Sequence, residues 1–324
     1  MISIIKRYFQ AILPTAAAAV TLLLIISRSA IASDGIRQAI AICASVIIPS
    51  LFPFMVFSTF VVKSGAYAKI GRIIGSPVRL LFNLPPCASG AVIIGLLGGY
   101  PIGTSMAAHL FRIGAIDKSQ ARRLACFSVN AGPAFIISAV GEAIYQSKEI
   151  GYILFASVML SSITIGASLG IISRIKGECI NDKKLSHQKA GFINAFVSAT
   201  ESASKSMLSI CVWVVTFSIT IAFIKQLPLS SSQTTILCAI TEVTSGCTMA
   251  AGSLPICATA AFISFGGVCV LFQILPNVRE IGMKLRGLLL SRLISAALSF
   301  IYCKLILLIF PISSQVFSNG TGSI

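Results

Sequence analysis

"GLLGGYPIGTSMAAHLF", residues 95–111, decides the architecture. The stretch is apolar enough to lie in a membrane, yet Gly98, Gly99, Pro101 and Gly103 crowd into its middle. In a helix interior Gly costs about 1 kcal/mol and Pro about 3 kcal/mol relative to Ala. A plain spanning helix would not carry that cluster, whereas a chain that breaks and turns at membrane depth would. Pro101 stops the first leg from running on as one helix, and the glycines let the chain turn and another backbone come close.

The rest of the chain is that of a multi-pass membrane protein. Of its 324 residues 56% are hydrophobic and 10% charged, and the mean hydropathy is +0.94. Soluble domains carry about 25% charge. The net charge of +16 falls in short loops, the pattern that orients membrane helices. With no RNA-binding signature and no basic helix interleaved with aromatics, nucleic acid is excluded as a partner, and the lipid bilayer is the expected one. The ten cysteines form no CxxC pair and lie mostly in apolar runs, where a thiol acts as a small hydrophobe. His109 and His187 are far apart and outside any HExxH context. Neither a metal nor a resident cofactor is expected.

At the N-terminus Lys6 and Arg7 precede an apolar run over 11–26, and "AIAS" at 30–33 resembles a signal-peptidase site. Cleavage of residues 1–32 stays open, although Arg28 beside that site favours an uncleaved first helix. Segments of about 17–25 apolar residues span a bilayer. The sequence offers 10–27, 38–62, 124–141, 150–173, 203–224, 256–275 and 293–310, about seven helices. Two more apolar stretches, about 80–110 and 233–252, are interrupted by turn-forming residues. Basic residues put the N-terminus and the loops around 63–79, 112–123, 174–189 and 279–292 inside. The sparsely charged connections 142–149 and 225–232 and the C-terminal tail go outside.

Both flanks of 80–110 are therefore inside, so this stretch enters and returns as a re-entrant hairpin. By the same reasoning 233–252 enters from the outside and returns there. The order helix, hairpin, helix, helix recurs with every direction reversed, which is the inverted-topology repeat of secondary transporters. The fold class is an all-α polytopic membrane protein. Its organisation reads as an extra N-terminal helix (1–34), a first repeat (35–175), a basic cytoplasmic loop (176–200), a second repeat (201–312) and a polar tail (313–324). Two weak echoes accompany it: "CASG" ending at Gly90 beside "VTSG" ending at Gly246, and "NAGPAFII" (130–137) beside "SFGGVCVL" (264–271).

Breaks of this kind bare backbone N–H and C=O groups near the membrane midplane, where they can hold anions and cations. Glu242 is the sharpest candidate, because a carboxylate within a membrane costs about 2.5–3.5 kcal/mol even on the gentler scales. Thr244 and Ser245 beside it complete a substrate or ion site; the bland alternative is a carboxylate at a hairpin base reaching the interface. Asn130 can donate and accept, and Pro133 disfavours helix at Gly132, so 130–132 is expected to be unwound. The bland alternative for Asn130 is a polar link between helices. Ser89 and Gly90, after Pro85 and Pro86, are expected at the tip of the first hairpin. Gly99, Tyr100, Pro101, Gly103, Pro133, Gly246, Gly266 and Gly267 are read as hairpin and hinge positions. Glu201 and Lys205 stand four apart as a surface pair, with Lys205 also placed to attract an anion from the inner side. Residues 116–127 read as an amphipathic cytoplasmic helix capped by Asp117. No nucleophile–base pair and no spaced pair of carboxylates is present, so the chain is not read as an enzyme.

Residues 96–141 resemble the YlbJ-like sporulation integral membrane proteins of the nucleoside-recognition, or Gate-domain, group. The hallmark Gly-Tyr-Pro-x-Gly falls on Gly99, Tyr100, Pro101 and Gly103, and Asn-x-x-Pro on Asn130 and Pro133. The resemblance is looser over about 38–310. It implies a fold similar to concentrative nucleoside transporters, with two hairpins and two unwound helices around the site. It implies a role in endospore formation, with dipicolinate, an aromatic dicarboxylate, as cargo. It places the chain in the bacterial membrane, and in the outer forespore membrane if that role holds. The function expected is secondary transport of a small organic anion, with Na⁺ or H⁺ coupling and a homo-oligomer as further expectations. A non-transporting sporulation scaffold and a nucleoside or ion carrier are the alternatives.

Overall fold

A computed structural model describes residues 23, 25–178, 180 and 191–311. Most of the expected helix 10–27, residues 179 and 181–190 of the basic loop and the tail 313–324 lie outside these residues, whereas the "AIAS" stretch at 30–33 lies inside the first described helix. The described residues form helices and turns, with no strand among them. Five of its helices are long and apolar enough to cross a membrane, or six with one bent pair.

α1 (Ser29–Ile42) and α2 (Ile48–Lys63) are joined through a π-helical turn at Cys43–Ile47. They form one rod, Ser29–Lys63, longer than the 38–62 read from hydropathy. Residues 66–82, read as loop from their basic charge, are instead helix α3 (Ala66–Phe82). Basic residues within a helix look like a loop when only their number is counted. α3 stops at Asn83, which adopts a left-handed φ of 52°. After Pro85 the chain bends by 103° into α4 (Ser89–Leu97).

α4 and α5 (Tyr100–Arg112) form the first hairpin. Its tip is Gly98–Gly99, where Gly99 takes φ 95°. The expected tip at Ser89–Gly90 is corrected: both residues lie in the first turn of α4, at the base of the hairpin. Proline-rich turns look alike in sequence whether they bend a chain into a leg or close it into a tip. Past the tip, a Cβ on Gly95 would stand 3.2 Å from the Gly103 Cα, and one on Gly103 would overlap the Ser128 carbonyl oxygen.

α6 (Lys118–Phe127) begins with the expected cap: Gln120 N donates to Asp117 Oδ1 at 2.8 Å and Asp117 N donates to Gln120 Oε1 at 2.9 Å. The single helix expected over 124–141 is broken. α6 ends at Phe127, residues 128–132 are non-helical, and after Pro133 a π-helix follows at Ala134–Ile144. α7 (Lys148–Ile175) closes this half.

The second half repeats the order. α8 (Phe192–Ile224) is a long rod that starts earlier than 203, because Phe192, Ile193, Phe196 and Val197 extend its apolar surface. α9 (Ser231–Thr241) and α10 (Val243–Ala250) form the second hairpin. α11 (Ile256–Phe265) and α12 (Gly267–Glu280) are the second broken helix, parted at Gly266 and Gly267 with φ 86° and 77°. α13 (Leu285–Ile309) ends the fold. α3 has no counterpart among the described residues of this half.

The two rods run antiparallel. Gly35 of α1 packs against Ser218 and Ala222 of α8. At the other end the Phe60 ring meets Phe192 at 5.2 Å and Phe196 at 5.9 Å. Trp213, the one tryptophan of the chain, fills the seam between α8 and α12, with its ring 5.5 Å from Phe272 and 6.1 Å from Phe217. Loops on the Lys63 face are tied together by ion pairs. Arg112 grips Glu280 through two 2.8 Å bonds, and Arg123 pairs with Glu178. Ser119 and Ser173 also donate to Glu178 at 2.9 and 3.0 Å.

Candidate functional site

Both hairpin tips, the first helix break and the first two turns of α12 after the second break meet at one cavity of about 50 Å³. The first tip contributes Gly98, Gly99, Tyr100 and Pro101, and the second Glu242, Val243 and Thr244. The first break contributes Ala131 and Gly132; Cys269, Val270 and Gln273 come from those turns of α12. The antiparallel rods supply the remaining walls through residues such as Met55 and Val214.

Within each half the break packs on its own hairpin tip. A Cβ on Gly132 would stand 2.8 Å from the Leu97 carbonyl oxygen, and one on Gly267 3.2 Å from the Thr241 carbonyl oxygen. These approaches, backbone against backbone, require glycine. The hairpins close on glycine too: a Cβ on Gly246 would overlap the Ala239 Cα of the facing leg, and one on Gly95 would stand 3.2 Å from the Gly103 Cα.

Glu242 sits at the second tip with 1% of its surface exposed, so the hairpin-base reading is corrected. Its backbone is extended, ending α9 and starting α10. Oε1 accepts from Thr244 N and Oε2 from Ser245 N, both at 2.7 Å. The carboxylate thus caps α10, satisfying two N–H groups that a helix start leaves free. No described cation pairs with it. The Thr244 hydroxyl faces the same cavity without a hydrogen bond inside the described chain. Ser245 faces away, into a separate pocket of about 350 Å³ that also holds Asp34, Gln38 and Lys225.

Asn130 is fully buried but does not line the cavity. Its Nδ2 donates to the Phe127 carbonyl at 2.8 Å, and its Oδ1 accepts from Ser162 Oγ of α7 at 2.6 Å. It serves as the link between elements. The matching position in the second break is Ser264, whose hydroxyl bonds that of Ser299 on α13. The 130–137 and 264–271 echo is therefore structural. The Gly90 and Gly246 echo is not, since Gly90 precedes its hairpin's tip and Gly246 follows its own. Ser89, with its hydroxyl unpartnered, and Gly90 lie away from the cavity.

Arg292 was read only as an inner-loop charge. It lies on α13 with no exposed surface. Its guanidinium donates to the Cys126 and Val129 carbonyls of the first break. A regular helix would offer the Val129 carbonyl to the N–H of residue 133, which is proline and has none. The reciprocal contact comes from the first hairpin. Tyr100 OH donates to the Ile263 carbonyl at 2.6 Å, at the matching position of the second break. Each half thus satisfies the carbonyl freed in the other. The Pro133 gap was the only sequence sign that such an acceptor would exist.

On the Lys63 face a larger cavity of about 1030 Å³ opens below the tips, and Pro101, Ile210 and Gln273 line both it and the central cavity. Val214 likewise lines both the central cavity and the 350 Å³ pocket opposite. Lys205 faces the large cavity and makes no ion pair with Glu201 among the described residues.

Among known proteins, the sporulation integral membrane protein YlbJ of Bacillus subtilis (strain 168) is 24% identical over 160 residues, 49% of this chain. The match covers 39% of that relative's length. No family model and no solved structure matches.

Proposed function

We propose, on the premise that this chain belongs with the YlbJ-like sporulation membrane proteins its similarity supports, that it is a secondary transporter of a small organic anion. Dipicolinate is the favoured cargo by family resemblance. The observation that carries the reading is the meeting of two hairpin tips and one helix break at one buried site beside the helix that follows the other break, with a neighbouring cavity sharing its wall on each face. Broken helices around a midplane site supply backbone dipoles to a charged cargo. A rigid scaffold has no use for irregular backbone lining a cavity at membrane depth, where each unsatisfied polar group is costly.

The central cavity of about 50 Å³ admits water, whereas a small organic ligand occupies a site of about 300 Å³ or more. Cargo therefore enters only when the tips part, and Gly98–Gly99 is the hinge with the backbone freedom for it. Glu242 repels a dianion while ionised. Its role in this scheme is to bind the coupling proton or cation, releasing the N–H groups of Thr244 and Ser245 as it does so. Orientation by positive charge puts the Lys63 face in the cytoplasm.

Proteoliposomes of the purified protein test the reading, with labelled dipicolinate and labelled uridine offered with and without Na⁺ and pH gradients. We expect saturable dipicolinate uptake that is abolished or uncoupled in Glu242→Gln while the variant elutes as folded protein. Uridine uptake instead would make the chain a nucleoside carrier. Uptake of neither by folded protein would favour the scaffold.

A further inference from the structure

The large cavity on the Lys63 face has a chemistry of its own. Four basic side chains line it, Lys63, His109, Arg112 and Lys205, and no Asp or Glu is among its lining residues. Arg112 is held by Glu280. Lys63 and Lys205 come from the two antiparallel rods and make no ion pair among the described residues.

The hydroxyls of α8 sort only in part by direction, since Ser198 and Thr220 lie off the large cavity and turn back to no carbonyl among the described residues. Thr200, Ser204 and Thr216 lie off the cavity, and each turns its hydroxyl back to the carbonyl four residues earlier, at 3.0, 2.8 and 2.8 Å. That is how a hydroxyl on a membrane helix is satisfied when no water is at hand. Ser202, Ser206 and Ser209, spaced along one helical face, line the cavity and form no such bond. Ser105 of α5, across the cavity, is also free. An apolar rod thus carries a stripe of free donors beside a free ammonium group, facing a second ammonium group. Facing a cavity of this size, these hydroxyls are open to water and equally to the oxygens of a bound anion.

We propose that this cavity is a binding site for a small organic dianion, separate from the central site. Lys63 and Lys205 hold its two charged ends and the serine hydroxyls donate to its oxygens. The inference rests on the anion reading above only for the choice of probe. Bound there, an anion waits beside Pro101 and Gln273, which also line the central cavity.

Full-length protein in neutral-lipid nanodiscs, titrated calorimetrically with dipicolinate at low ionic strength, tests this. Picolinate, the same ring with one carboxylate, is the control. We expect saturable dipicolinate binding, weakened about tenfold or more in the Lys63→Gln, Lys205→Gln double variant. Picolinate should bind the wild type more weakly and lose less affinity in that variant. Ser202→Ala with Ser206→Ala should weaken dipicolinate in the same direction, by less. Glu242→Gln should keep the wild-type affinity at this site even as uptake is lost. Absence of dipicolinate binding by the wild type, or undiminished binding by the lysine variant, overturns the proposal. Lysine-dependent binding without any uptake would sink the transporter reading and leave this site standing. Uptake with unchanged KM in the lysine variant would do the reverse.

Discussion

The two hairpins share a frame and differ at the tip. In each, a glycine just beyond the turn lies directly on backbone, Gly103 on Ser128 and Gly246 on Ala239. In each, a glycine of the neighbouring break packs on the tip: Gly132 on Leu97 and Gly267 on Thr241. Yet the first tip is the uncharged Gly98–Gly99, and the second is Glu242, with both carboxylate oxygens bonded to its own helix. A repeated scaffold sets the positions of two tips against one cavity, and a single residue then gives the halves different chemical tasks. A carboxylate marks the second tip and a glycine pair the first.

If the frames are equivalent, Gly103→Val and Gly246→Val should be equally severe. A branched side chain would have to displace backbone at either site, and we expect loss of monodisperse protein on size-exclusion chromatography for both. Gly65→Ala is the control: its φ is 72° but no atom lies within 4 Å of a Cβ there. It should cost about 1–2 kcal/mol and leave the elution profile unchanged. A well-folded Gly103→Val protein would break the equivalence.

The crossed contacts at the breaks offer a smaller test. Arg292→Met strips partners from two buried carbonyls and Tyr100→Phe from one, and a buried group left unsatisfied costs about 1–3 kcal/mol. Both variants should melt at lower temperature in a thiol-reactive dye assay, Arg292→Met by more. Equal or absent shifts would mean that water replaces the side chains, and that the halves are not held together through these carbonyls.

The smallest effect lies outside the membrane, at Glu178. Burial alone would raise its pKa, but hydrogen bonds from Ser119 and Ser173 and the Arg123 guanidinium hold it below the ordinary carboxylate value. Its stabilisation is therefore complete above the unfolded-state pKa, about 4.3, and is lost as pH falls through the lower folded value. Thermal stability of the wild type should drop over that acid range relative to its value at pH 7, and Glu178→Gln should flatten the drop. Parallel pH profiles would show that these bonds add nothing in water, as is common for partly exposed pairs.

The broken helices were legible in the sequence because an apolar run interrupted by Gly and Pro does not span lipid as one helix. Breaks in an apolar run and the distribution of Lys and Arg are local signals, and they placed both hairpins, the cap at Asp117 and the unwound stretch beside Pro133. Glu242 was legible as well, since a lone carboxylate in an apolar segment demands an explanation. The failures were of two kinds. Ser89–Gly90 was taken for a tip because the turn chemistry of Pro85 and Pro86 does not say whether the chain reverses or bends. Asn130 was chosen for its polarity, which a bond to Ser162 consumes. Arg292 was passed over because its acceptors belong to a break more than 150 residues away in the chain, and no local pattern announces a partner made by tertiary structure.

Trp213 wedges between Phe217 of its own rod and Phe272 of α12, one turn before Pro276 on that helix. As the chain holds a single tryptophan, its entire indole emission arises at the seam between a rod and a broken helix. Any sliding of α12 past α8 alters the polarity and quenching around that one ring. The protein thus carries an unlabelled optical reporter at that seam, readable by stopped-flow fluorescence.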